Sequence, residues 1–184
     1  MKSDDCQRLK EVLKTPKSIG IVTHRNPDGD AYGSSLALYF YLSKLGHKVH
    51  VVSPNDCPGF LKWMPGQGDI TIFEHDLKSA SRILENSEVV FALDFNALHR
   101  LGDMMGDFME TLNPFYVMID HHQEPDDFAN ITYVDPTICS TSQMVYQFMD
   151  SMGDLNLMDD KIATCLYTGI LTDTGSFRFP ATDS

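Results

Sequence analysis

The chain has 184 residues, 42% hydrophobic and 22% charged, which suits a single globular domain with a sizeable core. Its 26 acidic and 14 basic residues give a formal net charge of −12, which alone argues against gripping nucleic acid through a basic surface. The four cysteines (Cys6, Cys57, Cys139, Cys165) form no C-x-x-C pair, the opening MKSDDCQRLK has no apolar h-region, and the longest apolar run, LALYFYL, is too short to span a bilayer. No zinc knuckle, disulfide framework or membrane partner is indicated, and a cytoplasmic location is expected.

In chain order, Asp4 to Leu13 reads as a short helix with Leu9, Val12 and Leu13 on one side. SIGIVT is a compact apolar strand ending just before His24. Ala31 to Leu45 reads as a helix that Gly46 stops as a C′ glycine. HKVHVVS is a second strand, closed by Pro54, and a loop rich in Pro, Gly and Asp follows from Asn55 to Gln67. ITIFE is a candidate short strand, and Leu77 to Leu84 a candidate helix. EVVFALDF and PFYVMIDHH are near-continuous apolar runs, as strands buried on both faces should be, with a helix expected between them over Ala97 to Leu112. ANITYVDP is a further candidate strand, and helices are expected over Ser142 to Met152 and Asp159 to Leu171. This alternation predicts an α/β fold with a mainly parallel β-sheet flanked by helices on both faces. FRFPATDS supplies no closing element, so a truncated chain is expected.

Chemistry gathers where the strands end. The first strand runs into His24, followed by Asp28 and Asp30 in THRNPDGDAYGSS. VVFALD ends in Asp94, FYVMID in Asp120, His121 and His122, and the last helix in LTDTG with Asp173. Sites in open parallel sheets form beyond the carboxyl ends of the strands, so four separate segments deliver His and Asp to one edge. Taken singly, each residue has a plain explanation: Asp30 as a helix cap, Asp28 as a turn residue after Pro27, the two histidines as surface residues. The EF-hand pattern fails, because Tyr32 and Tyr39 occupy its fifth and twelfth positions. His47, His50, His75 and His99 have no such context and read as ordinary residues. Taken together, carboxylates and imidazoles without thiolate suit Mn²⁺, Mg²⁺, Co²⁺ or Zn²⁺, with Mn²⁺ preferred. The four carboxylates of Asp28, Asp30, Asp94 and Asp173 balance two divalent ions better than one. Such a pair, roughly 3.5–4 Å apart, can hold a phosphoryl group and generate hydroxide near neutral pH. The ions would then supply the positive field that the acidic surface lacks.

THRNPDGDAYGSS, LDFN, IDHH and LTDTGSFRF resemble, in order and spacing, the four motifs of the DHH phosphoesterase superfamily. The subgroup they resemble is the bacterial oligoribonuclease and 3′-phosphoadenosine-5′-phosphate (pAp) phosphatase type, the nanoRNases, often labelled exopolyphosphatase-related. The resemblance implies one ion held by His24, Asp28 and Asp94, and a second by Asp30, Asp94, His121 and Asp173, with Asp94 bridging. It implies that His122 faces the substrate phosphate, that Asp120 orients a ligand histidine, and that Ser140, Thr141, Arg178 and Arg100 are candidate substrate contacts. Gly29 and Gly33 are expected to let backbone approach the ions and the following helix. The implied activity is hydrolysis of short oligoribonucleotides, of pAp, or of both. Cyclic-dinucleotide phosphodiesterase, exopolyphosphatase or pyrophosphatase activity are the alternatives, as is a metal- or nucleotide-binding module without turnover. Family members continue into a smaller substrate-binding domain, so residues 1–184 are expected to be the catalytic domain alone and to turn over little by themselves. The implied partner is a short single-stranded RNA or a nucleotide, and a homodimer is one open assembly state.

Overall fold

The computed structural model describes residues 1–179. Its elements, in order, are α1 (Ser3–Val12), β1 (Ser18–Thr23), α2 (Gly29–Lys44), β2 (Lys48–Ser53), β3 (Thr71–Ile72), α3 (Leu77–Glu85), β4 (Val89–Leu93), α4 (Asp103–Glu110), β5 (Phe115–Asp120), β6 (Ile131–Val134), α5 (Thr141–Met152) and α6 (Asp160–Asp173). The strands form one sheet in the order β3-β2-β1-β4-β5-β6, and every pairing among the described residues is parallel. Alternation along the strands sorts side chains into two layers. Ile19, Ile21, Val49, Val51, Val89, Phe91, Leu93, Val117 and Ile119 point into the core shared with α2, α5 and α6. Val22, Val52, Val90, Ala92 and Tyr116 point into the other core, under α3 and α4. The fold is therefore α/β with helices on both faces, as the alternation of strands and helices predicts.

Several boundaries move, each for a local reason. ITIFE pairs over two residues only, because the chain turns away after Ile72 into the cap of α3. The single helix expected over Ala97 to Leu112 is broken. A short 3₁₀ turn, Leu98–Leu101, precedes α4, and Gly102 with φ +78° separates them. Gly46 does stand in the left-handed conformation just past the cap of α2.

The layer under α2 is unusually close. A Cβ on Gly33 would lie 2.6 Å from the carbonyl oxygen of Cys165 and 2.9 Å from the backbone nitrogen of Gly169. A Cβ on Gly29 would lie 2.3 Å from Oγ1 of Thr172. These glycines therefore let α2 lie against α6, and the neighbour they admit is α6 rather than an ion. Twelve of the sixteen residues of α2 are buried, which makes it the central helix of this face.

Strand order decides where the site sits. From β1 the chain winds outward through β2 and β3, then crosses back to β4 on the other side of β1. The loops leaving β1 and β4 diverge there and open the crevice in which such folds bind ligands. His24 follows β1, and Asp94 follows β4.

Candidate metal centre

Asp94 lies at the middle of the crevice, buried, with a left-handed φ of +64°. Aspartate tolerates that conformation better than most residues, and strain of this kind clusters at functional sites. Its two carboxylate oxygens face different partners. Oδ2 lies 3.5 Å from Nε2 of His24, and Oδ1 lies 3.6 Å from Nε2 of His121. The same Nε2 of His121 lies 3.6 Å from Oδ2 of Asp173. In both histidines the other ring nitrogen is taken by a backbone carbonyl: Nδ1 of His24 by Arg25 O at 2.8 Å, and Nδ1 of His121 by Ile138 O at 3.2 Å. A carbonyl accepts only from N–H, so Nδ1 of each ring carries a proton and Nε2 is the nitrogen turned to the crevice.

Three groups of donor atoms come together within 4.8 Å of one another: His24 with Asp28 and Asp94, Asp30 with His121 and Asp173, and Asp94 with His121 and His122. All six expected metal residues are thus brought together, and Asp94 and His121 link the groups. His122 also falls within the cluster.

Electrostatics asks for a cation. Burial, then the nearby charge of Asp94, holds the Asp30 carboxyl well above the usual carboxylate range. Burial likewise raises Asp173, with Asp94 and Asp28 adding to the effect. Burial also pushes Asp94 upward, but the hydrogen bond and charge of His24, the charge of His121 and the hydroxyl of Thr141 bring it below its ordinary value. His24 is raised: burial opposes its charge, and the hydrogen bond to Asp94 outweighs that. A divalent ion would supply positive charge to these crowded carboxylates. Oxygen and nitrogen donors without sulfur fit a hard or borderline ion.

Some expected roles change. Asp30 does not cap its own helix. Asp28 is the N-cap of α2, its Oδ1 accepting from the N–H groups of Asp30 and Ala31. Asp30 instead reaches across to α5, accepting from Thr141 N at 2.6 Å and Ser142 N at 2.9 Å. Asp120, fully buried, orients His122 rather than His121. Its Oδ1 lies 2.8 Å from Nδ1 of His122, and its Oδ2 accepts from the backbone N–H of His122. That hydrogen bond is the main cause holding His122 above its ordinary pKa.

Ser140 and Thr141 do not lie open to a substrate. Both are buried; the hydroxyl of Ser140 accepts from Gln143 N as the cap of α5, and that of Thr141 donates to Asp94 Oδ1 at 2.9 Å. Arg178 is exposed and donates from Nε to Gly175 O. Arg100 is exposed too, but near enough that its charge opposes protonation of His122. Three supporting residues carry no signal in the bare sequence. Asn96 donates to Gln123 O at 2.6 Å, tying LDFN to the loop after the paired histidines. Asn55 accepts from Asn26 N at 2.7 Å, pinning the first motif. Gly169 leaves room where a Cβ would lie 2.8 Å from Asp30 Oδ1 and 1.9 Å from Ser142 Oγ.

Fold and site together define a parallel α/β protein with a carboxylate–imidazole cluster, able to hold a cation, at the switch point of its sheet. The chain belongs to the DHH family: the model of the DHH family, N-terminal domain, matches residues 18–170. It is 37% identical over 175 residues to the bifunctional oligoribonuclease and PAP phosphatase NrnA of Thermus thermophilus, covering 95% of this chain and 49% of that protein. The chain thus spans about half the length of the curated relatives it matches. A solved exopolyphosphatase-related protein of Bacteroides fragilis superposes with a TM-score of 0.95 at 38% identity, covering 99% of this chain and 53% of the other. RecJ of Thermus thermophilus, solved in complex with Mn²⁺, shares the fold: its TM-score is 0.55 at 15% identity, covering 94% of this chain and 24% of RecJ.

Proposed function

We propose that this chain is the catalytic half of a two-metal phosphoesterase that hydrolyses short oligoribonucleotides, 3′-phosphoadenosine-5′-phosphate, or both. The observation that carries this reading is Asp94, with each carboxylate oxygen facing a different histidine. A carboxylate so placed suits a bridge between two ions. His24, Asp28 and Asp94 would hold one ion, and Asp30, Asp94, His121 and Asp173 the other, with Mn²⁺ favoured by donor type. Two such ions would supply Lewis acidity at the phosphoryl oxygens and a nucleophile at neutral pH.

The remaining work falls to the chain's own side chains. The Nδ1–H bonds of His24 and His121 fix both tautomers and keep both rings aimed at Asp94. Asp120 holds His122 through Nδ1, which favours imidazolium and leaves Nε2–H to donate to a phosphate oxygen as negative charge builds there. Arg100 lies on the same side and adds positive potential. The substrate class rests on the likeness to the Thermus protein.

The test is a Mn²⁺ titration of the metal-free chain together with hydrolysis of pApA and pAp, with Asp94→Ala as control. We expect two ions per chain and slow, Mn²⁺-dependent release of AMP from pApA or phosphate from pAp. The Asp94→Ala variant should lose both, the rate falling roughly a thousandfold or more. Equal rates in the two proteins would sink the proposal. Fewer than two ions with tight nucleotide binding and no product would favour a binding module.

A further inference from the structure

We infer that Thr141 is a positioning residue that sets the orientation of Asp94, and that the amino end of α5 is the brace holding both central carboxylates. The inference rests on the metal-centre reading above. The carboxylate torsion of an aspartate is broad and roughly two-fold, so burial alone does not decide which oxygen faces which neighbour. At Asp94 the decision matters: Oδ1 serves the His121–Asp173 side and Oδ2 the His24 side. Among the described residues, the one hydroxyl hydrogen bond to this carboxylate comes from Thr141 Oγ1, at 2.9 Å to Oδ1. It engages one lone pair of Oδ1, leaving another for an ion, and it holds the carboxylate plane against rotation.

The same residue fixes Asp30. Its backbone N–H donates to Oδ2 of Asp30 at 2.6 Å, and the next residue, Ser142, donates to Oδ1 at 2.9 Å. Paired N–H groups at the start of a twelve-residue helix, one on each oxygen, hold the carboxylate in one plane. The helix start is itself fixed by the Ser140 cap. Gly169 of α6 closes over the arrangement without a side chain. Thr141, Ser142, Asp30 and Asp94 are all buried, so the bonds are shielded from water and leave little room for another arrangement. The CSTS segment therefore acts through the two aspartates.

Mn²⁺ binding to the metal-free chain, measured by calorimetry, tests this, alongside the electron paramagnetic resonance signal of the bound ions. Thr141→Val keeps the shape and the backbone N–H but loses the hydroxyl. It should weaken Mn²⁺ binding about tenfold or more, in the range seen when residues supporting metal ligands are removed, and replace the spin-coupled signal of paired ions with that of single ions. Thr141→Ser restores the hydroxyl and should bind within about threefold of the parent chain. Should Thr141→Val fail to fold by circular dichroism, Thr141→Ala removes the same hydroxyl and carries the same expectation. Parent-like Mn²⁺ affinity and coupling in the hydroxyl-less variant, with binding lost in Asp94→Ala, would overturn the brace and leave the metal centre standing. Parent-like binding in Asp94→Ala would overturn both.

Discussion

The two faces of the sheet are built differently. On one, α2, α5 and α6 pack over the strands with glycines at their crossing, and α2 buries nearly its whole circumference. On the other, α3 buries only Ala80 and Leu84 and turns its polar residues to solvent, as an amphipathic cover does. Polar groups follow the same division. Asp30, Thr141 and Ser142 are buried among helices of the first face, and their hydrogen bonds lead to Asp94 and the candidate metal centre. The ion pairs of the rest of the molecule, such as Lys17 with Glu88 and Lys62 with Asp56, are exposed and worth little. The first face holds chemistry in register; the second keeps water from the sheet.

Paired substitutions should separate these roles, and they carry the largest expected effect. Gly33→Ala sets a methyl against the backbone of α6, where nothing flexible can yield. It should cost roughly 3 kcal/mol in urea unfolding and weaken Mn²⁺ binding, because α2 and α6 carry Asp30 and Asp173. Leu84→Ala should cost a similar amount, about 2–4 kcal/mol, by opening a cavity under α3, yet leave the Mn²⁺ affinity of the folded protein unchanged. If both variants lost metal equally, the two faces would not be functionally distinct.

Metal should stabilise the folded chain itself. Mn²⁺ at about a hundred times its dissociation constant should add about 2.7 kcal/mol per independent site, seen as a rise in melting temperature. Asp94→Asn should abolish that rise. A rise that survives in the variant would mean that the ions bind elsewhere on this acidic chain.

The smallest effect lies at the amino edge of the sheet, far from the centre in the chain's architecture. His47 is buried, and its Nδ1 accepts from the backbone N–H of Lys17 at 3.1 Å. Burial first, and the charge of Lys17 second, hold its pKa below the ordinary 6.5. The unfolded chain therefore binds the proton more readily than the folded one. This contribution is fully present above pH 6.5 and is lost as pH falls below it. His47→Gln should flatten the pH 5–7 stability profile by about 1 kcal/mol or less, measured by urea unfolding. An unchanged slope would show that the titration lies in the carboxylate cluster instead.

How much of this was legible beforehand varies by element. The apolar runs of β4 and β5 announced buried parallel strands, and the four acidic and histidine motifs announced a common edge. The split of Ala97 to Leu112 was hidden, because Gly102 interrupts a sequence otherwise suited to helix. The bonds that hold Asp30 are hidden for a related reason: capping, its plain explanation when taken singly, is a local inference, whereas its hydrogen-bond partners lie 111 and 112 residues away.

The sequence alone determined the donor types, their order along the chain and the strand ends that carry them, because periodicity and strand propensity are local properties. Only the tertiary structure decided which oxygen of Asp94 faces which histidine, that Asp120 serves His122, and that Thr141 is spent on Asp94. Those assignments depend on the switch point between β1 and β4 and on glycines that let α6 approach α2, and neither the crossing of strands nor the distance between helices is written in any local pattern.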